Sequence, residues 1–260
     1  MSDRQDSISV ELKTEKEIES LRVSGQLAAG LLDYLCNQAR IGMTSLELDA
    51  LGAQWIKSHG AKPAFLNYRG FPAHICVSVN DEVVHGIPNK KFFKDGDVVS
   101  IDVGLFYDGW CGDTARTIIL GKAISGAENL LAVSKESLEE SMRQAVLGKR
   151  LGDVSYAMQR VVESGGYNVL RGYGGHGIGR AMHEDPHVPC VGKPNTGMRL
   201  QVGMVLALEI MVNAGTEKIK HLPDGWTVKT ADGALSAHFE HMVAISETGT
   251  EVLTLPPGTK

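Results

Sequence analysis

The 260-residue chain reads as an α+β protein with pseudo-two-fold symmetry, antiparallel sheets carrying helices on their outer face. Two observations predict this. The first is an internal repeat. Gln38-Ala39-Arg40-Ile41-Gly42 aligns with Gln144-Ala145-Val146-Leu147-Gly148 at an offset of 106. The same offset pairs Glu47 with Asp153, Leu48 with Val154, Ser58 with Ser164 and Gly60 with Gly166. One step later, at offset 107, Gly96 to Asp102 aligns with Gly203 to Glu209, so a glycine-led apolar strand closes on an acidic residue twice. Ordered matches at a near-constant offset mark a duplicated helix–helix–strand unit.

The second observation is Val98 to Thr117, VVSIDVGLFYDGWCGDTART, which reads as a β-hairpin. Its first arm is rich in β-branched and apolar residues, and Tyr107-Asp108-Gly109 supplies the tip. Folding the arms about residues 107 and 108 sets Asp102 opposite Asp113, on a face shared with Val98, Ser100, Gly104 and Phe106. Two like charges so placed repel unless neutralised. A shared proton would serve, and divalent cations better, because hard cations favour carboxylate oxygen. The plainer alternative is one solvated Asp and one turn Asp.

The elements follow in order. Residues 1–10 are expected to be a flexible N-terminus, and residues 11–256 a single domain of two related halves, about 11–120 and 121–256. Thr14-Glu15-Lys16-Glu17 is a capping box that opens a helix to about Cys36, with Ile18, Leu21, Ala28, Leu31, Leu32 and Leu35 near helical spacing. Thr44 to Glu47 opens a second, through Leu48, Leu51 and Trp55, stopped by Gly60. A strand near Cys76 to Asn80 precedes the hairpin. In the second half, Glu209 is the counterpart of Asp102. Further on, Trp226 to Thr230 and Ser236 to Ile245 read as strands about an Ala231-Asp232-Gly233 turn. Glu240, inside the last strand among Ala237, Phe239, Met242 and Val243, is costly there unless paired or metal-bound, and makes a fourth carboxylate.

Composition narrows the function. A net charge of −5 with no basic stripe argues against nucleic acid as the main ligand. No apolar run approaches the ~20 residues of a membrane span, and the polar N-terminal stretch is unlike a signal peptide, so a cytoplasmic protein is expected. Cys36, Cys76, Cys111 and Cys190 are scattered, with neither CxxC nor zinc-finger spacing, and are expected reduced.

Two literal motif matches mislead. Gly172-Tyr173-Gly174-Gly175-His176-Gly177 fits GxGxxG, but no helix pattern follows and no acid stands ~20 residues on. His183-Glu184-Asp185-Pro186-His187 fits HExxH, but Pro186 opposes the helix that zinc motif needs. Glycines around His176 serve close approach to a crowded site instead.

Five stretches in order now resemble the type I methionine aminopeptidases, of the pita-bread (creatinase/aminopeptidase) fold. They are VSVNDEVVHGIP around His85, SIDVGLFYDGWCGDTART, GYGGHGIGRAMHEDPHVP, LEIMVN at Glu209 and DGWTVKTADGALSAHFEH. The likeness runs from about Ile8 to Leu255. It implies metal ligands Asp102, Asp113, His176, Glu209 and Glu240, with Asp113 and Glu240 bridging two divalent ions. One imidazole among four carboxylates suits Mn, Fe or Co at least as well as Zn. A further monovalent cation is also compatible with the family. Two-metal sites lower the pKa of water and polarise a carbonyl, a use known from aminopeptidases. Glu209 is implied as proton shuttle, His183 as partner of the scissile carbonyl, and His85 as partner of the departing amide. A methionine pocket is implied from Tyr68, Phe71, Cys76, Tyr173, Met182 and Trp226, aromatic and sulfur groups that suit a thioether.

The chain departs from the bacterial pattern at Met182, where Phe is common, at Phe65 and Val84, where Cys is common, and at Ile210, where Pro usually follows the metal-binding Glu. These departures bear on pocket shape, rate and metal preference, and a divergent second paralogue is compatible with them. The expected activity is removal of the initiator methionine from nascent chains with a small second residue, by a monomer in transient contact with the ribosome. Alternatives are an Xaa-Pro aminopeptidase or prolidase, which usually carries a large extra N-terminal domain, and a non-catalytic relative, which would lose ligands kept here. The type II enzymes carry a long insertion before the last Glu, and only 30 residues separate Glu209 from Glu240.

Overall fold

A computed structural model describes residues 10–255, so the expectation for residues 1–10 lies, Val10 apart, outside the described residues. Thr14 caps helix α1 (Glu15–Gln38) and Thr44 caps α2 (Ser45–Ser58), each through a complete capping box with Glu17 or Glu47 returning to the cap amide. Two orphan donors at each helix start are thereby satisfied. Two short strands, β1 (Lys62–Pro63) and β2 (Cys76–Val79), lead to β3 (Glu82–Val84) and the hairpin of β4 (Val98–Tyr107) and β5 (Trp110–Ile119). Then come α3 (Ala127–Gln144), α4 (Leu151–Ser164), β6 (Asn168–Val169), β7 (Gly174–Gly177), β8 (Glu184–Pro189) and β9 (Val205–Asn213). The chain ends through β10 (Ile219–His221), β11 (Val228–Thr230), β12 (Ser236–Ser246) and β13 (Gly249–Val252). Trp226 therefore lies just before a strand rather than within it.

The repeat is written in the backbone. α2 and α4 begin and end at the same spacing, and α1 and α3 both stop at the Gln of a Gln-Ala pair. Gly42 and Gly148 both take positive φ, as do Gly60 with Gly166 and Gly96 with Gly203. Even the isolated bridges Thr44 to Phe92 and Arg150 to Arg199 correspond.

One ten-stranded sheet, antiparallel throughout, runs in the order β1-β4-β5-β12-β9-β7-β8, with β2, β6 and β13 added beside β4, β9 and β12. β3, β10 and β11 form a small second sheet. α1 packs on β4 and β5, and α3 on β9 and β12. The inner stripe of α1 includes Leu21, Leu31, Leu32 and Leu35, all essentially fully buried. Truncating such a leucine to alanine costs about 2–5 kcal/mol. Gly112 shows how close the layers lie, since a Cβ there would meet the Ser24 carbonyl oxygen of α1 at 2.2 Å. The halves join where β5 meets β12. There the Thr114 hydroxyl donates to Glu240 O at 2.7 Å and the Thr117 hydroxyl to His238 O at 2.8 Å.

The hairpin register differs from expectation. Tyr107 pairs with Trp110 across the two-residue Asp108-Gly109 loop, both loop residues having positive φ. Asp102 therefore faces Ala115, and Asp113 faces Gly104. Asp-Gly favours the tight two-residue turn whose twist matches the strands, so the tip centres between 108 and 109. The two aspartates keep a common face because the correction moves the pairing by two residues, one full pleat.

Candidate active site

Antiparallel pairing lines up one row across five strands. Cys76 on β2 faces Asp102 on β4, Asp102 faces Ala115 on β5, Ala115 faces Glu240 on β12, and Glu240 faces Glu209 on β9. Directly opposed residues share a face with Cα atoms ~4.5–5.5 Å apart. Asp113 joins this face two residues along β5 from Ala115, and His176 on β7 faces Ala207, two residues from Glu209. The small side chain of Ala115 leaves the space between the acids open. Ligand atoms of Asp113, His176 and Glu240 all lie within 4.8 Å of one another, and all three residues are buried. Asp102 and Glu209 line the same cavity.

Every site residue singled out from the sequence lines one cavity of about 290 Å³. Above the acids, Phe71 meets Trp226 edge-on at 5.1 Å between centroids, and Cys76 and Met182 are buried in its wall. Phe65 and Val84 line it too, so three of the four departures touch the pocket. The fourth does not: Ile210 follows Glu209 on the strand, points to the other face and is fully buried in the core.

The histidines reach the cavity from loops and short strands. His176 Nδ1 lies 2.9 Å from Gly177 O, a partner that takes a proton on Nδ1 and leaves Nε2 free to ligate. The His183 ring centroid is 4.2 Å from that of His176, and its Nδ1 is 2.8 Å from the Tyr68 hydroxyl. Its loop is tied down by Lys13, whose buried ammonium donates to Glu184 Oε2 at 2.8 Å, while Glu184 Oε1 accepts from the Ala181 amide. His85 has a φ of 57° and sits between Tyr173 and Trp226, tilted to the first and edge-on to the second, with centroids 6.0 Å from each. A non-glycine residue held there is strained, a condition that clusters at functional sites. β8 is a strand, as the objection to a helical HExxH requires, and β7 occupies the glycine-rich run where a dinucleotide fold would start a helix.

Burial dominates the electrostatics. It pushes Asp113 and Glu240 well above the usual carboxylate range, each helped by neighbouring acids. It raises Asp102 to about 7 against the pull of His238. Glu209 goes the other way, because the imidazoles of His238, His176 and His85 outweigh its burial. His183 is driven down to about 4 by burial and by His176, so it is neutral at pH 7.

Among the described residues, Asp102 Oδ1 and Asp113 Oδ1 are buried without a hydrogen-bond partner. Orphaned anionic oxygens are expensive to bury, and a divalent cation is the group that satisfies them. The donors present, carboxylate oxygen with one imidazole, fit such ions.

Residues 19–247 match the model of metallopeptidase family M24. A methionine aminopeptidase of Clostridium perfringens is 47% identical over 244 residues, 94% of this chain and 98% of the relative. The chain belongs to metallopeptidase family M24. The crystal structure of methionine aminopeptidase from Rickettsia prowazekii superposes with a TM-score of 0.94 at 41% identity, covering 95% of this chain and all of that one. An Xaa-Pro dipeptidase from Bacillus anthracis shares the fold alone, with a TM-score of 0.75 at 21% identity and 63% of its own length covered.

For an M24 metallopeptidase the fold is the expected pita-bread one, and metal dependence comes with the family. Two cavity side chains, Arg69 and His238, go unnamed in the sequence reading, and a third, His187, enters it only through the misleading HExxH match. His238 had a signal, since it shares a strand face with Glu240 two residues on. Arg69 had none; it lies on a turn where it and Asn67 both have positive φ.

Proposed function

We propose that this M24 peptidase removes N-terminal methionine from nascent proteins whose second residue is small. The observation that carries the reading is the junction of two surfaces in one cavity: four carboxylates with His176, of which Asp113, Glu240 and His176 are buried, and an aromatic and sulfur-lined wall. Asp102, Asp113, His176, Glu209 and Glu240 would hold two divalent ions, Co, Mn, Fe or Zn. Such ions supply Lewis acidity at a carbonyl and lower the pKa of water.

The remaining work falls to side chains. Tyr68, Phe71, Cys76, Tyr173, Met182 and Trp226 enclose the methionine side chain and exclude water from it. With the Tyr68 hydroxyl donating to Nδ1, the neutral His183 ring carries its proton on Nε2, where it donates to the scissile carbonyl oxygen and to the charge that develops there. His85 orients the departing amide nitrogen. Water adds to the scissile carbonyl carbon, and Glu209 carries the proton that water gives up to that nitrogen as the C–N bond breaks. The same reading takes residues 11–256 as one catalytic domain, acting as a cytoplasmic monomer in transient contact with the ribosome. A monovalent cation beside the centre is compatible with it.

The test is peptide cleavage by chelated protein before and after return of Mn, Co, Fe or Zn. The substrates are Met-Ala-Ser, Met-Lys-Ser and Ala-Pro-Ser. Metal-restored release of methionine from Met-Ala-Ser alone is expected. Cleavage of Ala-Pro-Ser would move the chain to the Xaa-Pro peptidases, and metal uptake without any cleavage would make it a binding protein.

A further inference from the structure

Of the buried polar groups in the cavity, His238 alone has no part in the chemistry above. Its backbone is fixed against the other half of the molecule: its N–H donates to Thr117 Oγ1 at 2.8 Å, and Thr117 Oγ1 lies 2.8 Å from Ser100 Oγ. Its side chain is 4% exposed, and Nε2 lies 3.2 Å from Glu209 Oε2. Among the described residues Nε2 has no hydrogen-bond partner, the condition also of Asp102 Oδ1 and Asp113 Oδ1, and Glu209 Oε2 is close enough to accept its proton once the ring turns into line. A residue serving only to fill space among acids has no use for a buried polar nitrogen, which costs free energy unless it bonds. The register sharpens the point. Glu209 and Glu240 face each other across β9 and β12, yet only Glu240 gathers with Asp113 and His176. His238 is the group beside which Glu209 rests instead.

We infer that His238 is a positioning residue of the metal centre: its Nε2–H takes Oε2 of Glu209 and so presents the other carboxylate oxygen to the ions. This rests on the two-ion reading proposed above. Outer partners of ligating carboxylates commonly govern ~10–100-fold in metal affinity.

The experiment is calorimetric titration of metal-free protein with Mn²⁺, comparing wild type, His238→Leu and His238→Gln. Leucine fills the space without a donor, whereas glutamine restores an N–H donor. His238→Leu should weaken Mn²⁺ binding ~10–100-fold and His238→Gln should stay within about threefold of wild type. Both metal-free variants should keep native circular dichroism. The visible spectrum of the Co²⁺-loaded protein should change in the leucine variant and return in the glutamine variant. If His238→Leu does not fold, His238→Met takes its place with the same expectation. Wild-type affinity without the donor, or a folded glutamine variant as weak as the leucine one, would overturn the inference. A wild type that takes up no Mn²⁺ would instead overturn the metal reading, and the inference with it.

Discussion

The two halves present their acids differently. In the first, Asp102 and Asp113 are diagonal neighbours, facing Ala115 and Gly104. In the second, Glu209 and Glu240 face each other directly. The connections account for it. A two-residue turn joins β4 to β5 and dictates every pair that follows, whereas residues 214–235, carrying β10 and β11, join β9 to β12 and dictate none. Duplication has thus conserved elements and faces while leaving register free.

The largest effect should come from the residues where the halves meet. Glu240→Gln or Asp113→Asn should abolish peptide turnover, and because each removes an acid from a crowded buried cluster, the metal-free protein should melt higher. Wild-type turnover in either variant would remove that residue from the centre. Next is pH. The buried acids hold protons in the folded chain well above the ~4 at which they ionise unfolded. The folded state therefore binds more protons than the unfolded one between those limits, and metal-free stability should fall as pH rises from ~4 through 7. Asp102→Asn should flatten the slope. A melting temperature in chelator that climbs from pH 5 to 8 would contradict the arrangement.

Smaller effects test what sets the register. Gly109, with a φ of 79°, sits in the only turn that controls either acid pair. Gly109→Val should cost about 1–3 kcal/mol by denaturant unfolding, and an unchanged midpoint would show that the turn is not in command. Tyr68→Phe, which removes the hydroxyl beside His183 Nδ1, should lower kcat by about threefold to tenfold with little change in KM, a cost near one hydrogen bond. Met182→Phe should shift KM or kcat only modestly, and no change on any Met-Xaa peptide would take Met182 out of the pocket.

What was legible in the sequence was local. Caps such as Thr14 and Thr44 and turn glycines such as Gly60 and Gly166 act within a few residues, so the repeat and the helices could be placed from spacing alone. Alternation along the hairpin arms puts Asp102 and Asp113 on a common face even when the register is off by two residues, whereas their pairing follows only from where the turn centres among Tyr107, Asp108 and Gly109. The Lys13–Glu184 pair is joined only by folding, across 171 positions, and nothing short-range announces it, while His238 is marked only by its two-residue spacing from Glu240.

One consequence lies in the single imidazole of the acid cluster. Ala207 stands 107 positions after Ser100, and their cross-strand partners are His176 and Ser78, so in the first half the place of His176 falls to Ser78, which is occupied elsewhere, accepting the Gly86 amide. Two identical half-chains assembled about an axis must supply every group twice. Joined in one polypeptide, the copies are released from that obligation, and a change in one is not mirrored in the other. A centre founded on symmetry can then acquire a front and a back, with the nitrogen on one side only and a direction along which a peptide is read.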